Sequence, residues 1–278
     1  MKTDEGKMNG FSLVEMLVVV AIIGVIASLV TPALGKAKRT ARRVVCSGNL
    51  KQLTVAWHLY SVESGDKLAP NSSSGPTIIG TTPEDAAWVI GSLNYINDNP
   101  DNTNTALLTS KHYGSIAPYN SEPKIYHCPN DASYIDPGGR RSARVRSCSM
   151  NAFVGDSPSN CVEGSKYRMF RRMSDLAIVS SALIWLFIDE HEDSIGGGTF
   201  WVPCINKGSD ASWESIPASR HENGCGLSFA DGSVTHKKWT DGRSIIKVAR
   251  SSQKGIRLPF DQDVIWLQDR TSVLKSEQ

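Results

Sequence analysis

The chain has 278 residues, with 30 Lys and Arg against 28 Asp and Glu, and 40% of its residues are hydrophobic. A formal net charge of +2 excludes a dedicated nucleic-acid binder, so no nucleic-acid partner is expected. The length suits one medium-sized domain beside any anchor, and no fixed-period repeat divides it.

Met1–Gly10 is short and polar, with Lys2 and Lys7 set against Asp4 and Glu5, and reads as a leader. From Phe11 to Val30 only Ser12, Glu15, Gly24 and Ser28 interrupt a continuous apolar run. A helix of that length spans about 30 Å, the thickness of a bilayer's hydrocarbon core. A charged group at mid-bilayer costs about 2.5–3.5 kcal/mol, so Glu15 calls for a partner. Cleavage after Gly10 would create an amine on Phe11, four residues before Glu15 and on the same helix face. Lys36, Lys38, Arg39, Arg42 and Arg43 follow the run, and the positive-inside rule alone would place them in the cytoplasm. From Leu34, apolar residues recur at helical spacing through Ala37, Ala41, Val45, Leu53, Trp57 and Tyr60. One helix from about Phe11 to about Val62 is predicted, with Pro32 and Gly48-Asn49 as weak points.

Beyond residue 60, Gly, Pro, Asn and Ser predict a turn-rich body of short strands. Trp88–Leu93 reads as a strand, Asn94–Thr105 as a polar turn capping a helix at Ala106, and Ile125–Asp131 as a strand running into a turn. Arg140–Arg146 carries four arginines and reads as a solvated basic loop. Leu183–Ile188 predicts a central buried strand. It runs into Asp189-Glu190-His191-Glu192-Asp193, which reads either as an exposed acidic turn or, with hard oxygen ligands, as a calcium site of Asp189, Glu190, Asp193 and Asp231. Asp231-Gly232 predicts a type I′ hairpin pairing Phe229 with Val234 and Leu227 with His236, so that Leu227, Phe229 and Val234 share one core-facing side.

Cysteines stand at Cys46, Cys128, Cys148, Cys161, Cys204 and Cys225. None forms a C-x-x-C pair, which excludes zinc-ribbon spacing. An even count fits disulfides in an oxidising compartment, with fifteen pairings open, or else a set of buried thiols. No H-E-x-x-H, G-x-S-x-G or phosphate-loop pattern is present, so no catalytic residue is assigned and no enzyme is expected.

Gly10-Phe11-Ser12-Leu13-Val14-Glu15 and the apolar helix behind it resemble the signal of type IV pilins and type II secretion pseudopilins. The resemblance implies cleavage after Gly10 by a prepilin peptidase, N-methylation of Phe11, and a role for Glu15 in assembly. Pro32 falls where many pilins have a helix-bending proline. Asn49-Leu50-Lys51-Gln52, Cys128-Pro129-Asn130-Asp131, Phe187-Ile188-Asp189-Glu190 and Phe229-Ala230-Asp231-Gly232 look like a large bacterial family of pilin-like proteins. His221, Asp231 and Gly232 resemble that family's H-X9-DG block.

The expected fold is α+β and pilin-like with long loops: a transmembrane plus amphipathic helix packed on an antiparallel sheet. Residues 1–10 would be leader, 11–32 the transmembrane half of the helix, 33–62 its amphipathic half, and 63–278 an extracytoplasmic body with the H-X9-DG hairpin at 221–239. The resemblance implies a single-pass inner-membrane precursor, body in the periplasm, that joins other pilin-like subunits in a filament and reaches the cell surface on assembly. The alternative is a monomeric membrane-anchored binding protein, with the 140–146 loop or the 189–193 turn as its surface.

Overall fold

A computed structural model describes residues 12–71, 87–155, 166–205 and 207–275. Gly10, Phe11 and Cys161 lie outside them. The elements are α1 (Leu13–Glu63), α2 (Ala106–Thr109), β1 (Tyr134–Ile135), β2 (Ser142–Ala143), β3 (Cys148–Asn151), α3 (Met173–Ala177), β4 (Trp185–Asp189), β5 (Thr199–Phe200), β6 (Ser212–Trp213), β7 (Gly224–Phe229), β8 (Val234–Lys238), β9 (Ile256–Arg257) and α4 (Gln262–Gln268). The chain divides into two compact units, one up to Arg42 and one of Arg43–Gln278.

In the first unit α1 opens with a capping box. The Ser12 hydroxyl accepts the Val14 N–H at 3.3 Å, and the Glu15 carboxylate reaches back to the Ser12 N–H at 2.8 Å. Ser-x-x-Glu is the sequence signature of that motif, and it gives Glu15 a partner within its own helix. The helix runs on through Pro32. Its side chains from Leu13 to Val30 are exposed throughout.

In the second unit the end of α1 packs on a five-stranded sheet of order β5-β3-β4-β7-β8. All pairs are antiparallel except β3 with β5, so the sheet is mixed rather than wholly antiparallel. The weak point at Gly48 does not break α1. A helical glycine costs about 1 kcal/mol, whereas Leu50, Leu53 and Trp57 are each fully buried, at about 1.5–3 kcal/mol apiece.

β4 is the central strand, paired on both sides and buried at every position. Opposite β7 it carries an extra residue: Trp185 pairs with Phe229 but Ile188 with Leu227. This bulge resets the two-residue alternation. Leu186 and Phe187 consequently both join the core beneath α1, while Trp185 and Ile188 face a second core with Trp213, Trp239 and Val264. Asp189, next along the strand, faces back toward α1.

Three local expectations are corrected. Trp88–Leu93 is irregular rather than a strand, although Trp88 and Val89 are buried. The segment before Cys128 is a 3-10 turn over Pro123–Tyr126, opened by Pro123. The β7–β8 turn is one residue longer than a type I′ turn. Gly232 N–H donates to Phe229 O at 2.9 Å, and Gly232 alone takes a left-handed φ of 87°. A type I turn closed by a left-handed glycine results. Pairing shifts to Ser228 with Val234 and Leu227 with Thr235, so Val234 faces the α1 side while Leu227 and Phe229 face the other core.

The charged runs are not on the surface either. Asp189, Glu190, His191, Glu192 and Asp193 are all buried, as are Arg144 and Arg146. Arg146 donates to the carbonyls of Cys148, Gly196 and Gly197 at 2.6–2.8 Å and to the Ser149 hydroxyl at 3.0 Å. Arg220 donates through Nε to Glu192 at 2.8 Å and through Nη2 to Asp131 at 3.3 Å and to Glu190 O. Burial opposes ionisation of Asp131, yet the Arg220 guanidinium holds its carboxyl below the usual range.

Two outcomes are expected. Gly226 faces α1, and a Cβ there would lie 2.7 Å from Leu50 Cδ1. Gly226→Ala should cost about 1–3 kcal/mol by overpacking, with much of the loss recovered in Gly226→Ala/Leu50→Ala; equal and additive losses in denaturant unfolding would separate the two sites. Arg220→Ala leaves Asp131 and Glu192 buried without their guanidinium and should cost about 3–5 kcal/mol. Arg220→Lys should recover only part of that in the same measurement, because a point charge cannot serve two carboxylates as a fork does.

Candidate functional site

Four polar groups meet between α1 and the sheet. Cys46 comes from α1, Cys128 from the loop after the 3-10 turn, Asp189 from the end of β4, and His221 from the turn entering β7. Their ligand atoms all lie within 4.8 Å of one another, and all four residues are buried. The Cys46 thiol donates to Asp189 Oδ2 at 2.8 Å. Cys128 Sγ lies 3.1 Å from His221 Nε2. The Asn130 side-chain amide, 3.2 Å from His221 Nδ1, holds the other side of the ring, and Gly226 N–H donates to Asp189 Oδ2 at 3.3 Å.

Local backbone geometry sets each group in place. Cys46 and Leu50 are one helical turn apart, so both face the sheet at Gly226. Glu222 and Asn223 both take positive φ, which reverses the chain between His221 and Gly224. His221 and Gly224 exchange backbone hydrogen bonds at 3.0 and 3.1 Å. His236 Nε2 lies 2.7 Å from His221 O.

The electrostatics divide the two thiols. Proximity to Cys46 holds the Cys128 thiol well below its usual range, against burial and with help from His221 and Arg220. The same proximity, together with burial and the Asp189 charge, pushes the Cys46 thiol far up. Burial pushes the Asp189 carboxyl up to about 7. For His221 burial works downward, but the contact with Cys128 prevails and raises it. These directions favour the proton on Cys46 and the thiolate on Cys128, beside the His221 ring.

The sequence-predicted sites fare unevenly. Asp189 and His221 belong to this cluster, but the four carboxylates suggested for calcium do not converge among the described residues. Successive residues of a strand point to opposite faces, which separates Glu190 from Asp189. Glu190 accepts from Ser149 and Ser194. Asp193 accepts from Tyr95, Gln253 and the backbone of Ala249 and Arg250. Asp231 accepts from Ser233 in the hairpin turn, which also contains Gly232. No disulfide is formed among the described residues: Cys46, Cys128, Cys148 and Cys225 are buried free thiols, and the Cys204 thiol donates to Val202 O at 3.7 Å. The sequence offered Cys46 only as a disulfide candidate and Asn130 only as part of the Cys128–Asp131 block, because the four groups are scattered between positions 46 and 221.

Residues 6–31 match the prokaryotic N-terminal methylation motif, and residues 35–166 match a family described as a protein of unknown function (DUF1559). The second match includes Cys46 and Cys128 and ends before Asp189 and the H-X9-DG block. Over 58 residues the chain is 33% identical to type II secretion system core protein G of Pseudomonas aeruginosa, covering 21% of this chain and 41% of that protein. No solved structure matches the chain. A methylation motif that opens an exposed apolar helix, a DUF1559 match directly behind it, and likeness to a secretion-system core protein together make the chain similar to pilin- and pseudopilin-like proteins.

Proposed function

We propose that the chain is a prepilin-like structural subunit, cut after Gly10, N-methylated at Phe11, and assembled through its apolar helix into a type IV pilus-like or type II secretion pseudopilus filament. The observation that carries this reading is the exposure of the apolar helix. Every large hydrophobic side chain from Leu13 to Val30 is 44–80% exposed. A surface of that kind belongs in a bilayer before assembly and against other apolar helices after it. Residues 1–10 serve as leader, 11–32 as the membrane half of the helix, 33–62 as its amphipathic half, and 63–278 as the extracytoplasmic body. Prepilin peptidase, the inner membrane and other pilin-like subunits are the partners.

Glu15 has two tasks in this scheme. Its carboxylate caps the helix through the Ser12 N–H, and it offers the one negative charge of the apolar stretch to the amine of a neighbouring copy. The two tasks separate by substitution. Glu15→Ala removes both, while Glu15→Gln keeps an acceptor for the cap and removes the charge.

Mass spectrometry of the N-terminal peptide from native membranes should find a chain that begins at N-methylated Phe11; a chain beginning at Met1 would refute processing. Glu15→Ala and Glu15→Gln should both be cleaved normally and be incorporated into filaments at least about tenfold less well, the equivalent of about 1.4 kcal/mol per contact. Normal incorporation of the Gln variant, scored by helix-to-helix crosslinking between copies, would remove the charge pairing.

A further inference from the structure

We infer that Cys46, Cys128, Asp189 and His221 form a structural site for a thiophilic divalent metal ion of the zinc type. Two sulfurs, one imidazole nitrogen and one carboxylate oxygen are a complete tetrahedral donor set. All four residues are at most 3% exposed, and their ligand atoms lie within 4.8 Å of one another. Bonds of about 2.0–2.3 Å to a central ion require ligand atoms roughly 3.3–3.8 Å apart. The present contacts of 2.8 Å between Cys46 and Asp189 and 3.1 Å between Cys128 and His221 are slightly closer than that. Small side-chain rotations about an entering ion open them to bonding distance.

The surroundings are those of a built site. Asn130 stands at the far nitrogen of the His221 ring and fixes its orientation, and the Gly226 N–H holds the Asp189 carboxylate. Binding needs both thiols, the Asp189 carboxyl and His221 Nε2 free of protons, and any that they carry leave for solvent. Two thiolates and a carboxylate around a divalent ion leave one net negative charge, within electrostatic reach of the Arg220 guanidinium. A cleft of about 570 Å3 is lined by Val45, His127 and Pro129, the chain neighbours of Cys46 and Cys128. The soft sulfurs favour zinc over calcium or magnesium. The ion would fasten α1 to the sheet and to the two loops that carry Cys128 and His221. A thiolate beside an imidazole is also the pattern of a nucleophile, but burial of both leaves a substrate no access.

The test uses the full-length chain in detergent, reduced, stripped with chelator, and titrated with zinc and with cobalt. One equivalent of zinc should bind per chain and raise the thermal midpoint, while calcium does neither. Cobalt should give intense thiolate-to-metal absorption with tetrahedral ligand-field bands. Cys128→Ser, Cys46→Ser and His221→Ala should each weaken binding by about 100-fold or more, Asn130→Ala by about 10–100-fold, and Cys148→Ser should bind as wild type. Should a ligand variant fail to fold, the wild-type cobalt spectrum decides, since only thiolate ligation produces those bands. Absence of stoichiometric binding, a cobalt spectrum without thiolate bands, or a Cys46–Cys128 disulfide in protein from native membranes would overturn the site.

Discussion

The second unit depends on how closely α1 approaches the sheet over Gly226. No side chain fits at that point: the space a Cβ would occupy is taken by Leu50, with Asp189 and Cys46 close by. The glycine lets the helix settle directly on β7, and that contact fixes helix rotation as well as distance. Once Leu50 is seated, Cys46 one turn earlier must face the end of β4, where the bulge has turned Asp189 toward it. Hydrophobic packing therefore sets the polar cluster, since burial of Leu53 and Trp57 holds the helix in the only rotation that brings the sulfur to the carboxylate.

Polar groups enclosed this way must satisfy one another, and the molecule does so with long cations. The side chains of Arg144, Arg146 and Arg220 are buried, and their forks reach carbonyls and carboxylates on segments far apart in sequence. In a body with few long strands, such forks supply links between loops that ladder hydrogen bonds do not provide. Planar guanidinium groups with five donors are suited to that task.

Legibility in the sequence followed the range of the interactions. The apolar helix, its amphipathic continuation and the central strand expected at Leu183–Ile188 and found at Trp185–Asp189 are dictated by local periodicity and composition. The hairpin at Asp231-Gly232 was readable in place but not in register, because the left-handed conformation of Gly232 adds a residue that two candidate turn types share in sequence. The expectation that charged runs lie in solvent failed at 140–146 and 189–193, where partners come from distant segments such as Tyr95, Gly196 and Arg220. The cluster was invisible for the same reason. Spacing rules detect ligands on one turn or hairpin, whereas these four arrive from a helix, a loop, a strand end and a turn.

The outer strand β8 carries a further consequence. An edge strand offers unpaired backbone groups to any strand of another molecule, which is a route to uncontrolled aggregation at high local concentration. Here the edge bears Lys237 and Lys238. Lys237 bridges to Asp263 at 3.1 Å and lies 4.9 Å from the Trp266 ring, so α4 is fastened alongside the edge. Lys238 remains exposed to repel a like strand. Sheet-to-sheet growth between crowded copies is thereby discouraged, which leaves self-association to surfaces whose geometry is set elsewhere in the chain.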